Sequence, residues 1–376
     1  PVPKTLIAMK LSRAALSLLI AAAACSVKYS THPDDPAQSK PPTAASDPKP
    51  AADPSPELPS DPTVRVGQLD NGLTYYIRKH ETPKARAAMW LAVDAGSVLE
   101  DDDQQGLAHF VEHMAFNGTE RFEKNTLIDY IEKSGMDFGA DLNAYTSFDE
   151  TVYQLTVPTD TAESVTRGFD ILEDWASAIT FDPEEVDKER GVVIEEWRLG
   201  RGASQRVFDQ QWPIYLEGSQ YAKRKPIGKK KILEKAPVDT LKRFYKDWYR
   251  PDLMAVVVVG DLEPDQVEKE IKARFGKLTN PKDSRPRPNV KVPILDKTRA
   301  AIVTDEEASA TRVSVAIKRE ATGLHTEADF REDLVGDLFQ GMLRARLDEI
   351  RRDPEAPFMF AFSFSNTMGR AADVFQ

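Results

Sequence analysis

The stretch His109-Phe110-Val111-Glu112-His113 decides the fold of the middle of this chain, because its polar and apolar residues separate onto two faces of a helix. A helix turns about 100° per residue, so with His109 at zero, Glu112 lies near 300° and His113 near 40°. The apolar residues fall between about 100° and 200° on the same count: Leu107, Phe110, Val111 and Met114. The pattern predicts a helix with a core-packing face and an opposite face that carries two imidazoles and a carboxylate.

This arrangement of side chains favours a hydrolytic metal site. Two histidines four residues apart on a helix can both reach one Zn²⁺ at about 2.0 Å. The carboxylate before the second histidine is then placed to take a proton from water held by the metal. The spacing is the inverzincin motif, the inverse of His-Glu-x-x-His. The simpler interpretation, an amphipathic helix with surface histidines, needs a rare coincidence, because the chain has only five histidines in 376 residues.

A third ligand is expected on a second helix. The segment from Asp182 to Glu185 has the features of a helix start, with Asp182 as N-cap, a proline after it, and Glu185 placed to close a capping box. Glu189 and Glu196, seven residues apart, project along nearly the same line, so one can bind metal while the other supports it. Glu195 is the rival ligand by position.

Two segments carry a family resemblance. Gly-Leu-Ala-His-Phe-Val-Glu-His-Met-Ala-Phe-Asn-Gly-Thr at 106–119 and Glu-Arg-Gly-Val-Val-Ile-Glu-Glu at 189–196 resemble the pitrilysin family of zinc metallopeptidases, which includes insulin-degrading enzyme and the mitochondrial processing peptidase. The resemblance implies three ligands for one zinc ion: His109, His113 and Glu196. It also implies Glu112 as the general base and Glu189 as a second catalytic residue that supports the site.

A further segment is similar to the strand with which this family holds peptides. It is Asp-Leu-Asn-Ala-Tyr-Thr-Ser at 141–147. Strand addition binds a peptide through its backbone, with little demand on its sequence. The resemblance implies an edge strand in which Asn143, Ala144 and Tyr145 bind substrate. From the pattern alone, a plain core strand fits equally well.

The elements around these motifs predict an α+β catalytic domain over residues 63–280, with a mixed sheet covered by helices on one face. Residues 64–66 and 73–77 form a hairpin across Asp-Asn-Gly. Two more strands follow at 87–93 and 253–259, the second of them central because it is apolar throughout. A helix then begins at Pro264 and stops at Gly276.

Residues 281–293 are predicted to be a linker, since four prolines stand among charges. A second, metal-free domain of the same kind is expected at 294–376, incomplete at this length. We expect strands at 300–303, 312–317 and 358–364 and a helix near 328–351. The helix should turn four residues inward: Leu334, Leu338, Met342 and Leu347. A second pitrilysin-like chain or a missing C-terminal half is the expected partner.

The first 62 residues have a different character. Residues 1–25 are typical of a secretory signal, with a short basic start and an apolar stretch too short to span a bilayer. Cys25, the only cysteine, is either a lipidation site or the residue after ordinary cleavage. Residues 26–62, rich in proline and alanine, predict a disordered tether. We therefore expect an exported protein of a Gram-negative envelope, in the periplasm or as an outer-membrane lipoprotein held by a lipid anchor.

Composition argues against nucleic-acid binding, because the net charge is −11 and the pI is near 5.2. Basic clusters at 223–225 and 229–231 are the exception. They indicate either a solvated loop or a contact for phosphate or acidic peptide.

Together these observations predict a zinc-dependent endopeptidase that hydrolyses peptides or unfolded segments through a metal-held water activated by Glu112. Two alternatives remain open at this stage. The first is a non-catalytic peptide-binding or partner subunit, and the second is a zinc-buffering envelope protein that uses the same ligands.

Overall fold

The computed structural model of the chain describes residues 55–124, 126–137 and 139–376. The predicted signal, Cys25 and most of the predicted tether lie outside this part. The described residues form two compact units. The first comprises Ser60–Glu306 and Met368–Ala372, and the second comprises 55–59, Glu307–Thr367 and Asp373–Gln376.

The first unit is built on a six-stranded sheet. Its strands are β1 (Arg65–Gln68), β2 (Thr74–Lys79), β3 (Arg86–Val93), β4 (Leu142–Thr146), β5 (Thr151–Pro158) and β6 (Met254–Gly260). Their order across the sheet is β1-β2-β6-β3-β5-β4. The pair β2–β6 is parallel and the other pairs are antiparallel, so the predicted mixed sheet is confirmed. The predicted hairpin and central strand are confirmed as β1–β2 and β6.

The first unit also contains helices. They are α1 (Leu107–Asn117), α2 (Thr126–Lys133), α3 (Ala162–Ser177), α4 (Pro183–Leu199), α5 (Ala203–Tyr215), α6 (Lys230–Lys235), α7 (Val238–Trp248) and α8 (Pro264–Phe275). Short 3-10 turns occupy Ser97–Leu99, Gln220–Lys223 and Pro251–Leu253. Helix α8 begins at Pro264 and is capped by Gly276, as predicted.

The two faces of the sheet differ in burial. On β3, Met89 and Leu91 are fully buried, and Gly168 of α3 comes so close to Met89 that a Cβ there would lie 2.7 Å from Met89 Sδ. On the opposite face, Trp90 of β3 and Tyr76 of β2 are each 39% exposed. The alternation follows from the two-residue period of a strand, and it agrees with the predicted α+β class.

Residues 281–293, predicted as a linker, contain no helix or strand and pack as part of the first unit. Two arginines hold the segment. Arg285 Nη2 bonds Asp101 Oδ1 at 2.9 Å, and Arg287 Nε donates to the carbonyl of Asp94 at 2.8 Å.

The second unit contains helix α9 (Glu327–Arg351), the short strand β7 (Ile317–Glu320) and, except for Met368 and Ala372, the short strands β8 (Ser365–Met368) and β9 (Ala372–Phe375). The order of the three strands in their sheet is β7-β9-β8. The strands predicted at 300–303 and 358–364 are wrong, and the one predicted at 312–317 begins only at Ile317. Apolar side chains in these segments are exposed, for example Ile302 at 97% and Phe362 at 67%. An apolar run becomes a strand only where a neighbour pairs with its backbone.

The predicted helix of this unit is confirmed, with a capping box between Thr326 and Asp329. Its predicted inward face is wrong: Leu334, Leu338 and Met342 are exposed and Leu347 is half-exposed. The helix instead makes contacts through Gln340, whose Nε2 donates to Ser365 Oγ at 3.2 Å, and Arg344. Gln340 and Arg344 lie about 160° and 120° around the helix from the middle of the stripe formed by Leu334, Leu338 and Met342, whereas Leu347 lies on their side. Periodicity thus identifies an apolar face but not the element that covers it.

Among the residues that the structure describes, none of the helices has the length and apolar character needed to cross a bilayer.

Candidate metal centre

Helix α1 fixes two of the predicted ligands. The four residues of its predicted core face are buried, each with at most 1% exposure: Leu107, Phe110, Val111 and Met114. His109 and His113 lie on the other face, each less than one-fifth exposed in its side chain. The helix begins after Gly106, which has a φ of +100° and whose Cβ position is 2.9 Å from Gly228 Cα. Only glycine fits there, since both the conformation and the space exclude a side chain.

The start of α1 is held by a residue that the sequence did not single out. Glu100 is buried, and its Oε1 accepts from the N–H groups of Gly106 and Ala108, both at 2.9 Å. Its Oε2 has no partner within the described part of the chain. Burial raises the pKa of the Glu100 carboxyl well above its ordinary value. In the sequence Glu100 is the first of four consecutive acidic residues, and only the fold shows that it is buried against the start of α1.

Helix α4 supplies the second half of the site. Asp182 caps it as predicted, because its Oδ1 accepts from Glu184 N at 2.9 Å and Glu185 N at 3.2 Å. The Glu185 carboxylate does not close the predicted capping box but pairs with Lys188 Nζ at 2.7 Å.

The two helices bring His109, His113 and Glu196 together. The Nε2 atoms of the histidines are 3.3 Å apart, and Glu196 Oε2 lies 3.5 Å from His113 Nε2 and 3.8 Å from His109 Nε2. Ligands about 2.0–2.1 Å from a tetrahedral zinc would be roughly 3.3 Å from one another. These three atoms therefore match the donor set and the spacing that zinc needs.

The rival ligand lies elsewhere. Glu195 pairs with Arg198 on the same helix, with Arg198 Nε 2.8 Å from Glu195 Oε2. This exposed ion pair turns the Glu195 carboxylate away from the histidines, so the geometry favours Glu196.

The second nitrogens of the two histidines have different surroundings. His113 Nδ1 lies 2.7 Å from Glu189 Oε1, which fixes the ring with Nε2 towards Glu196. A carboxylate in this position orients a metal-binding imidazole and makes it a better ligand. His109 Nδ1 is buried and has no hydrogen-bond partner among the described residues.

The charges of the site set the protonation of its histidines. Burial opposes a positive charge on His113, but hydrogen bonds to Glu189 and Glu196 and the charge of Glu112 outweigh it and raise its pKa to about 10. Burial lowers the pKa of His109. The hydrogen bond with His113 lowers the pKa of Glu196. The contacts with Glu189 and Glu196 thus stabilise the charged form of the His113 imidazole.

Glu112 is buried on the same face of α1 as the histidines. Its Oε2 accepts a hydrogen bond of 2.6 Å from Thr146 Oγ1 at the end of β4. The predicted general base is therefore in contact with the predicted substrate strand. Thr146 itself was not singled out in the sequence.

Strand β4 is the last strand of the sheet, so the plain core strand that the pattern also allowed is wrong. Of the predicted substrate residues, Asn143 and Tyr145 are exposed and Ala144 is half-buried. Ala144 N donates to Asn143 Oδ1 at 2.9 Å.

The basic clusters are partly structural. Arg224 is buried, and it donates to the carbonyl of Glu100 at 2.9 Å and to Asp102 Oδ1 at 2.8 Å. Lys225 pairs with Asp209. Neither cation is therefore available to an anion, while the lysines at 229–231 are exposed.

Comparison with known proteins identifies the family of the chain. Residues 75–209 match the profile of the insulinase family (peptidase family M16), and residues 235–369 match that of the peptidase M16 inactive domain. The chain belongs to the M16 family. The predicted pitrilysin-type membership is thereby confirmed, and the second profile agrees with a second domain of the same family.

Relatives of this M16 chain are named as zinc proteases. A zinc protease PQQL-like protein of Arabidopsis thaliana is 40% identical over 78% of the chain, and the probable zinc protease PqqL of Haemophilus influenzae is 36% identical over 79%. The alignments cover 31% and 32% of those relatives. The chain thus spans about a third of the length of these curated relatives.

A solved structure extends the match to the fold. The first half of the periplasmic protease PqqL from Escherichia coli superposes with a TM-score of 0.74 at 33% identity, covering 85% of this chain and 68% of that one. The pitrilysin-like fold is therefore confirmed.

Proposed function

We propose that the chain is a zinc-dependent endopeptidase. The observation that carries the proposal is the convergence of His109, His113 and Glu196 with Glu112 beside them, at spacings that suit zinc. Membership of a peptidase family with relatives named as zinc proteases supports it.

Zinc would be held by Nε2 of His109, Nε2 of His113 and Oε2 of Glu196. When bound, zinc acts as a Lewis acid on a peptide carbonyl and lowers the pKa of water towards about 7. Glu189 holds the ring of His113 in the orientation that directs its Nε2 to the site.

Glu112 would act as the general base. Its carboxylate accepts the proton of the attacking water and passes it to the nitrogen of the departing amine. One oxygen is already bonded to Thr146, which leaves the other for this transfer. Burial of Glu112 limits competing contacts with solvent.

The substrates we propose are peptides or unfolded segments. An extended chain can add to the free edge of β4 next to Asn143, Ala144 and Tyr145, where backbone groups give affinity without strict sequence choice. A folded protein would have to open a segment before it could bind in this way.

For localisation we propose the periplasm. The similar solved structure is described as a periplasmic protease, and residues 1–25 are typical of a secretory signal.

Attachment through a lipid on Cys25 is part of this proposal. Labelled palmitate should enter the protein in a Gram-negative host and Cys25→Ser should abolish labelling, whereas an unmodified Cys25 or Ser26 at the mature N-terminus would refute the anchor.

The decisive experiment compares the parent chain with Glu112→Gln. The substitution keeps the shape and removes the basicity, so zinc content should stay near the parental value while turnover of a fluorogenic peptide library falls about 10²- to 10⁴-fold. Glu195→Gln, on the outer side of α4, is the matched control and should change neither quantity.

A peptide-binding subunit is the competing function. It would be indicated by a parent that holds zinc and binds extended peptides but cleaves none of them, alone or with a second family chain. The match of residues 235–369 to an inactive domain is compatible with both functions and does not separate them.

A further inference from the structure

The hydroxyl of Thr146 donates a hydrogen bond to Glu112. Thr146 Oγ1 lies 2.6 Å from Glu112 Oε2 and 3.3 Å from Thr151 Oγ1. The buried Thr151 hydroxyl donates at 2.9 Å to the carbonyl of Ala95. A hydroxyl has one proton to give. Since Thr151 gives its proton to Ala95, Thr146 gives its own to Glu112, and one oxygen of the base is held in a fixed place.

The backbone of Thr146 points in another direction. In an antiparallel ladder, successive residues of a strand alternate between bonding the neighbouring strand and facing away from it. Ser147 N donates to Glu150 O at 2.8 Å, and the carbonyl of Asp141 accepts from β5 at 2.7 Å. Odd-numbered residues of β4 therefore bond β5, and Ala144 and Thr146 direct their N–H and C=O groups to the free edge of the sheet.

One residue thus joins two parts of the site. A peptide added to the free edge would hydrogen-bond the backbone of Thr146 and restrict its dihedral angles. The side chain of the same residue holds Glu112. We propose that Thr146 is a positioning residue that couples peptide binding along β4 to the orientation of the general base. This inference rests on the peptidase function proposed above.

The first test uses Thr146→Val, which keeps the shape and removes the hydroxyl, and Thr146→Ser, which keeps the hydroxyl. Thr146→Val should lower kcat about 10- to 100-fold, the range that one hydrogen bond to a charged group is worth. KM should stay within roughly two-fold, because the backbone groups that hold the peptide are unchanged. Thr146→Ser should restore most of kcat, and zinc content should be parental in both variants.

A matched control is Thr74→Val. Thr74 is a half-buried threonine of β2, separated from β4 by three strands. Its variant should retain the parental kcat and KM. A fall in kcat for Thr74→Val equal to that for Thr146→Val would show a general effect of losing a strand hydroxyl and would refute the specific role.

The second test asks whether Thr146 acts through Glu112. In a Glu112→Gln background, Thr146→Val should lower the residual turnover by less than roughly two-fold, because the group that it positions has lost its basicity.

Coupling to the peptide is tested with a long fluorogenic peptide and a truncated one that share the cleaved bond. The parent should show a higher kcat for the long peptide, and Thr146→Val should reduce that advantage in kcat while leaving the advantage in KM.

The outcomes separate the two proposals. If the parent cleaves peptides and Thr146→Val turns over at the parental rate, the coupling is wrong and the peptidase function stands. Full additivity with Glu112→Gln leads to the same conclusion. A zinc-loaded parent that cleaves nothing overturns the peptidase function and this inference with it.

Discussion

The two helices that form the candidate metal centre differ in how they are held. The apolar face of helix α1 is buried in the core, and the buried Glu100 accepts a hydrogen bond from the backbone at the start of the helix. Helix α4 is more exposed: Val192 is 54% and Leu199 72% accessible, and the side chain of Glu196 is about half exposed. The histidines therefore lie on a helix whose opposite face is fully packed, whereas Glu196 lies on the exposed part of α4, which is held in the core through Val186 and Val193. We therefore expect changes at the histidines to disturb the site more than changes on α4.

The largest effect on zinc binding and turnover should follow from replacing a histidine ligand on α1. His113→Ala removes a ligand and leaves the carboxylate of Glu189 without its partner, so the protein should lose both zinc and turnover. Metal analysis after dialysis and a peptide cleavage assay would measure this. His80→Ala, at an exposed position of the same unit, is the control and should keep both. Zinc retained at the parental level in His113→Ala would contradict the assignment of ligands.

On the α4 side, Glu196→Gln should weaken zinc binding by well over 10-fold, because a direct ligand is lost while both histidines stay in place. Glu195→Gln should leave zinc affinity unchanged, since Glu195 bonds only Arg198 at the surface. Competition with a chelator of known affinity would compare the two. The reverse ranking would show that the register of α4 at the site is shifted by one residue.

A smaller effect is expected for the carboxylate behind His113. Glu189→Gln still offers an acceptor to Nδ1 but removes the charge, so zinc affinity should fall about 10-fold, at the low end of the range for supporting groups. Turnover at saturating zinc should recover most of its parental value. An effect as large as that of Glu196→Gln would mean that Glu189 itself contacts the metal.

The smallest expected effect is the release of a proton from His113 when zinc binds. In the metal-free chain the pKa of His113 is raised from 6.5 to about 10, so at pH 8 the imidazole is charged and must lose its proton to bind zinc. Calorimetric titration with zinc in buffers of different ionisation enthalpy should show release of about one proton at pH 8. Zinc affinity should fall as the pH is lowered.

The raised pKa of His113 also determines how the stability of the metal-free protein changes with pH. A raised folded-state pKa means that the charged His113 stabilises the metal-free fold fully below about pH 6.5, its unfolded value, and that this contribution is lost as the pH rises through about 10. The thermal midpoint of the metal-free parent should therefore fall more steeply between pH 7 and 10 than that of His113→Gln. Equal slopes would show that the ion pair adds nothing to stability.

The comparison of the helices also explains which predictions succeeded. The sequence alone predicted α1 and its faces, because ligands and core residues alternate with the helical period in one short stretch. The pairing of α1 with α4 could not follow from periodicity, and the choice of Glu196 came from the family resemblance. Glu100 and Thr146 were missed, since their roles depend on contacts with residues that the sequence pattern does not connect to them.

For helix α9, the sequence predicted the helix itself but not which of its faces is buried. Its existence and its capping were predictable from local signals, but the direction of its apolar stripe was not. An amphipathic pattern records that a face is apolar, and the packing partner decides whether that face is covered. The same reason accounts for the apolar segments near Ile302 and Phe362 that did not form strands.

The free edge of β4 has a consequence for the solution behaviour of the protein. An unpaired strand edge can pair with a strand of another copy as readily as with a peptide, and this is a route to aggregation. Asn143 Oδ1 occupies the outward N–H of Ala144, so an incoming chain must first displace the side-chain amide. Two such edges meeting would have to displace two amides, whereas a peptide displaces one. On this count we expect Asn143 to disfavour the pairing of two β4 edges more than the addition of one peptide.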